Sequence, residues 1–282
     1  MNSRAAKHQH TISKQTAKGP LQSWWIAVAV VAIIGFAFVV AQSDDKAKPS
    51  NQSEPKYGRE IAPADLVTAV AEIPDTTLSA VGQGTATMPR STGEPATSEV
   101  IFVGAEFCPY CAAERWALVN ALSRFGTFTN LSITTSSATD IYPNTPTFSF
   151  YGAKYTSEYI TFSATEIATN EPKSDGGGYK PLEEPSESVT QLWRTHSPQG
   201  GVPFLSIGNQ FVATGPSYDV AVLADKSYDA VASDIDSPGN PISDGAVGAA
   251  NVITAAICAT TDNQPAKVCA NATIAELQRA LK

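Results

Sequence analysis

Cys108-Pro109-Tyr110-Cys111 places two thiols two residues apart, between an apolar run, Val100-Ile101-Phe102-Val103, and a helical pattern from Ala112 to Phe125. A strand that feeds a helix opening at a cysteine has a defined electrostatic consequence. The unpaired N–H groups and positive dipole end of the helix stabilise a thiolate at Cys108, lower its pKa and make it a nucleophile. Cys111, one turn on, is placed to close a disulfide with it. The chemistry this spacing points to is thiol–disulfide exchange.

The elements that must position this pair begin well before it. Trp24 to Ala41 is an uncharged apolar run of 18 residues, which at about 1.5 Å per residue reaches roughly 27 Å, near the hydrocarbon thickness of a bilayer. Trp24 and Trp25 fall where an interfacial aromatic anchor belongs. The run reads as a transmembrane anchor over 24–41, with a cytoplasmic tail over 1–23. A cleaved signal peptide is the rival reading, since Val39 and Ala41 fit a small-residue cleavage rule; the long apolar run and long preceding tail favour an uncleaved anchor. Arg4, Lys7, Lys14 and Lys18 precede the span, and Lys46, Lys48 and Lys56 follow it. The positive-inside bias is therefore slight, and the cysteines must decide topology. Residues 42–60 are polar, contain proline and lack periodicity, as a flexible tether does. The remainder, 61–282, is long enough for one sizeable core. A net charge of −8 and the lack of a basic stripe exclude nucleic acid as a partner class.

Within 61–282 the patterns alternate between the two periods. Ile61 to Ala71 spaces its apolar residues as a helix, and Leu78 to Gly93 reads as loop or edge hairpin. Glu99 to Gly104 reads as a centrally buried strand. Leu118, Ala121, Leu122 and Phe125 form a helical stripe, with Gly126 as its C′ stop. Strands are expected at Leu131–Thr135, Thr147–Tyr151 and Tyr159–Ser163. Asn170 to Glu187, with Gly176-Gly177-Gly178, reads as a surface loop; a phosphate loop would need a following Lys-Ser/Thr that is missing. Ser188–Thr195, Tyr218–Val231 and Ala246–Ala259 read as helices. Gly201 to Ala213 reads as a hairpin turning at Gly208-Asn209. Thr273-Ile274-Ala275-Glu276 has capping-box spacing for a last helix.

The order of these elements around a Cys-x-x-Cys at a strand-to-helix junction resembles the thioredoxin fold, an α/β architecture. Val202-Pro203, opening the hairpin, sits where thioredoxin-like proteins place a cis proline facing the dithiol. The whole pattern is also similar to a poorly characterised prokaryotic family of membrane-anchored thioredoxin-like proteins. Pro203 lies 95 residues after Cys108, further than in a minimal thioredoxin, so the resemblance implies an insertion of helical or loop character, at about 152–197. It also implies catalytic roles for Cys108, Cys111 and Pro203, and a substrate groove at Val202 and Tyr110. Trp116 is a groove wall or a core residue. One position departs from the pattern. Thioredoxins carry a buried carboxylate six residues before the first cysteine, and Phe102 stands there; Glu106 and Glu114 are expected at the surface.

The other two cysteines, Cys258 and Cys269, flank a turn-like segment and read as a structural disulfide, with a second shuttle pair as the rival. Persistent disulfides belong to oxidising compartments, which puts the domain outside the cytoplasm. Half of a zinc site is the bland alternative for Cys108 and Cys111, but structural zinc takes four ligands, usually in two close pairs, and Cys258 and Cys269 are too widely spaced. Copper(I), which soft thiolates select, needs a further ligand, and His196 is the available histidine; its bland reading is an ordinary surface residue. These observations lead to a single-pass plasma-membrane protein with an extracytoplasmic thiol–disulfide oxidoreductase domain. It needs no cofactor of its own. Its partners are client proteins with cysteines and a quinone-linked membrane redox partner. The alternatives are a copper-handling module and an anchored interaction module with an inert disulfide.

Overall fold

The computed structural model describes residues 57–281. The expected tail, the membrane span at 24–41 and most of the tether lie outside the described residues. Of the tether, Glu60 belongs to the first strand.

The centre of the fold is a five-stranded mixed sheet. In chain order its members are β2 (Arg90–Ser91), β3 (Glu99–Gly104), β8 (Thr161–Glu166), β11 (Phe204–Ile207) and β12 (Phe211–Thr214), and in space they run β2-β12-β11-β3-β8. β3 pairs parallel with β8 and antiparallel with β11. β3 is interior, and all of it but Glu99 is buried, as its continuous apolar run requires. Its side chains alternate between two faces. Val100 and Phe102 join the larger core, whereas Ile101 and Val103 join a smaller one with Phe204, Val212 and Trp193.

Each face is covered by helix. The larger core packs under α3 (Pro109–Ser123) and α6 (Pro241–Thr260), the smaller under α4 (Glu187–His196). Around these lie α1 (Ala64–Ala71), α2 (Asp75–Val81), α5 (Tyr228–Asp234), α7 (Ala266–Cys269) and α8 (Ala272–Ala280). β4 (Gly126–Thr129) pairs with β7 (Lys154–Ser157), and β1 (Glu60–Ile61), β5 (Ser132–Thr135) and β6 (Pro146–Ser149) form a small separate sheet. β9 (Ala168–Pro172) and β10 (Tyr179–Pro181) make a hairpin after β8. α3 lies between β3 and the parallel β8, but four short strands, β4 to β7, lie in the same connection, and three more, β1, β9 and β10, lie outside it.

The stretch 152–197, expected to be helix or loop, carries more strand than helix. Residues 152–197 hold β7 to β10 and α4, and β8 is a member of the main sheet. The stretch from β4 to β10 is built of short strands. Its Thr-, Ser- and aromatic-rich sequences favour pleated, half-buried surface over helix.

Several local expectations meet their reasons here. Gly208 and Asn209 both have positive φ, 56° and 58°, the backbone of a two-residue hairpin turn matched to strand twist. Gly126 is no left-handed helix stop; a Cβ there would lie 2.3 Å from the Thr156 carbonyl oxygen, so glycine is required by the close approach of β4 to β7. The last helix is capped by Asn271, whose Oδ1 accepts from the N–H groups of Thr273 and Ile274, so the cap lies two residues before the expected Thr273. Leu78, placed in a loop from sequence, is in α2. Tyr218–Val231 is a 3₁₀ turn at Val220–Leu223 followed by α5. Among the described residues α6 alone is long and apolar enough to cross a membrane, and it is buried inside the domain as a core helix.

Candidate functional site

β3 ends at Gly104, and the loop Ala105-Glu106-Phe107 delivers Cys108 to the start of α3. Cys108 is the N-cap of that helix, in extended backbone conformation, with Pro109 at the first helical position. Proline suits that position, since its missing N–H would have no partner there. The Cys108 Sγ accepts the N–H of Cys111 at 3.3 Å. Sulfur thus occupies the place that a Ser or Asp oxygen takes in an ordinary cap.

The two thiols differ in access and in acidity. Cys108 is 5 % exposed and Cys111 is fully buried. Both are free thiols. The Cys108 pKa is held below the usual thiol range, first by the Cys111 thiol beside it, then by the Cys111 backbone N–H and the positive charge of Arg115, against the opposing effect of burial. The Cys111 pKa is pushed well above that range, chiefly by burial and then by its contact with Cys108; Arg115 acts in the opposite direction. Cys108 is therefore the more acidic of the two thiols, and burial favours the protonated form of Cys111.

The Val202–Pro203 peptide bond is cis, and Pro203 is buried at the entry to β11. The Cys108 thiol lies 3.9 Å from the Val202 carbonyl oxygen as a donor. The structure thus brings Cys108, Cys111, Val202 and Pro203 together. Tyr110, between the two cysteines, is 37 % exposed. Its ring meets Tyr142 edge-on at 6.4 Å, and Phe107 stacks on Tyr179 at 4.2 Å and 7°. Tyr179 in turn donates from its hydroxyl to the Ser137 Oγ at 2.7 Å. Sequence reasoning missed Phe107, Tyr142 and Tyr179, because the last two arrive from strands and loops remote in the chain.

Trp116 resolves as core. It is fully buried, its Nε1 donates to the Pro146 carbonyl at 2.8 Å, and its ring packs against Phe148. Glu106 and Glu114, expected at the surface, are both fully buried. Arg59 bonds both carboxylate oxygens of Glu106 at 2.9 and 2.8 Å, and Ser149 donates a third bond. Glu114 accepts from the backbone N–H and hydroxyl of Ser217, and burial raises its pKa to about 7. His196 lies at the end of α4 facing Phe204, and among the described residues no three His, Cys, Asp or Glu side chains gather where they could hold a metal ion. Cys258 and Cys269 are joined as a disulfide between α6 and α7.

A family model described as "Domain of unknown function (DUF929)" matches residues 88–176. The chain is similar to that family over this stretch. The match takes in β3, the dithiol and α3, and stops before Pro203 and the disulfide. No curated protein and no solved structure matches the chain.

Proposed function

We propose that this chain is a thiol–disulfide oxidoreductase of thioredoxin-like fold, tethered to the plasma membrane by residues 24–41 with its domain outside the cytoplasm. The observation that carries the reading is the arrangement of Cys108. It caps α3 with its sulfur on the Cys111 amide, its acidity is raised, and it faces the Val202 carbonyl beside a cis proline. Three further features support the fold: the parallel β3-α3-β8 unit, the antiparallel β11-β12 hairpin beside it, and helices on both faces. The buried Cys258–Cys269 disulfide supports an oxidising compartment.

In this reading Cys108, the more exposed thiol, attacks a client disulfide. A mixed disulfide forms and one client sulfur leaves as thiolate. Cys111 then attacks the Cys108 sulfur, closing the 108–111 disulfide and releasing the second client thiolate, which takes up the proton that Cys111 gives up. Run backwards, the same steps oxidise a client dithiol. Stabilisation of the Cys108 thiolate favours the reduced enzyme, and hence the oxidising direction, with a quinone-linked membrane partner to restore the disulfide. The aromatic pairs Phe107–Tyr179 and Tyr110–Tyr142 on either side of Cys108 in the chain suit an unfolded client segment carrying apolar side chains.

The test is the Cys111→Ala variant of the full chain in its native host. Client proteins should accumulate on Cys108 as adducts released by dithiothreitol. Their absence, with the variant folded and present in the membrane, overturns the reading. The potential of the 108–111 pair sets direction: roughly −120 mV marks an oxidant and roughly −270 mV a reductant.

A further inference from the structure

The exchange proposed above leaves one difficulty at Cys111. This thiol is fully buried, yet it must lose its proton to resolve a mixed disulfide. A base would solve the problem, but the buried carboxylates around the site are all engaged. Glu106 is held by Arg59 and Ser149, Glu114 by Ser217, and Glu166 on β8 by Arg115. Glu183, beyond Glu166, accepts the Glu166 backbone N–H.

Arg115 is a buried charged group on the same helix as the dithiol. It stands four residues after Cys111 on α3, so the two side chains share one helix face at adjacent turns. It is fully buried, a rare setting for an arginine. Its Nε and Nη2 donate to the two oxygens of Glu166 at 2.9 and 2.6 Å. That fork fixes the guanidinium between helix and sheet. Its third nitrogen, Nη1, has no hydrogen-bond partner among the described residues. A buried donor left unmatched is costly, and native folds seldom keep one without a use.

We propose that Arg115 is the electrostatic partner of the resolving thiol: pinned by Glu166, its buried guanidinium holds the negative charge that forms on Cys111 when Cys111 attacks the mixed disulfide. This rests on the oxidoreductase reading and adds a residue to it. Charge within the buried helix face takes the place of a proton acceptor. Glu166 sets the position of the cation and also partly neutralises it, so the two partners have opposed effects on Cys111.

That opposition gives the test. The reduced full chain is mixed with 5,5′-dithiobis(2-nitrobenzoate), and release of the coloured thiolate is followed by stopped flow. Attack by Cys108 releases the first equivalent and leaves a mixed disulfide; attack by Cys111 on Cys108 releases the second and closes the protein disulfide. Arg115→Gln should slow the second phase about tenfold or more at pH 7, and Arg115→Lys, which keeps the charge, should restore most of it. Glu166→Gln, which keeps an acceptor oxygen, should leave the second phase as fast as in the parent or faster. Should Arg115→Gln fail to fold, the pair Arg115→Lys and Glu166→Gln decides: slowing in both overturns the proposal, because the rate would then follow the fork's geometry and not the cation that the first variant keeps and the second leaves unneutralised. An unchanged second phase in folded Arg115→Gln also overturns it. A parent chain whose first phase is no faster than free glutathione would instead refute the oxidoreductase reading itself.

Discussion

Replacing Glu114 with glutamine should remove a pH dependence of stability whose size follows from the structure. The carboxyl is fully buried, and its pKa is raised from 4.5 to about 7 by burial, partly offset by the two bonds from Ser217. Between those two values the folded chain keeps a proton that the unfolded chain has released. The unfolded state then binds fewer protons, so unfolding free energy falls as pH rises. The contribution is fully present below about pH 4.5 and is lost as pH rises through about 7. At about 1.4 kcal/mol per unit, the loss comes to about 3 kcal/mol. Glutamine has the same shape, can accept from the Ser217 N–H and donate to its hydroxyl, and carries no titrating proton. Urea unfolding of parent and Glu114→Gln, followed by circular dichroism at pH 4.5 and pH 8, gives the double difference. Other titrating groups, including Glu183, are common to both proteins and cancel. The variant should gain about 3 kcal/mol on the parent between the two pH values. A double difference below about 0.5 kcal/mol would show that the Glu114 carboxyl is solvated or already ionised in the fold, and the reasoning would fail.

Two stability predictions stand on separate parts of the molecule. Cys258→Ser with Cys269→Ser opens a loop with a sequence separation of 11 and should cost about 3 kcal/mol in the chain-entropy account, while leaving the first-phase reactivity of Cys108 unchanged; reactivity lost in the folded variant would favour the relay role for that pair. Gly126→Ala puts a methyl group 2.3 Å from the Thr156 carbonyl and 2.8 Å from the Tyr155 ring, and should cost about 1–3 kcal/mol by overpacking in a denaturant titration.

What could be read from the sequence was what depends on near neighbours. The β3 run, the helix opening at Cys108 and the Gly208-Asn209 turn each rest on residues within a few positions of one another. The dithiol's place at a helix N-terminus followed from them. The short strands are less legible, because β4 pairs with β7 and β1 with β5 across long separations, and each of these strands is four residues or fewer. A period of two is barely expressed over that length. Glu106 and Glu114 were misplaced for a related reason. A lone carboxylate is normally exposed, and the partners that allow burial, Arg59 and Ser217, lie 47 and 103 residues away. Arg115 carried a local signal, its four-residue spacing from Cys111, whose meaning depends on Glu166 at a separation of 51.

These buried charges bear on the chemistry as well as on the fold. Thioredoxin-like proteins with a carboxylate under the dithiol can pass a proton to it, but Phe102 stands at that position here, packed on the larger core. Any substitute has to act from where the buried charges are. Glu106 sits two residues before Cys108, yet a guanidinium and a hydroxyl hold its oxygens. Its two oxygens are therefore engaged by partners other than the dithiol. Glu114 has the raised pKa of a proton carrier, but it faces Ser217, and its bonds tie α3 to the segment after β12. On the proposed oxidoreductase reading, the buried carboxylates near the dithiol among the described residues are all engaged, and the cation Arg115 stands on the same helix face as Cys111. If the proposed exchange holds, such a site stabilises thiolates and leaves proton transfer to solvent or client. Its resolving rate should therefore depend on pH through the Cys111 thiol alone. In the two-phase thiol assay, the second phase should rise with pH along a single ionisation; a second, carboxyl-like inflection between pH 5 and 7 would reveal a base that this arrangement lacks.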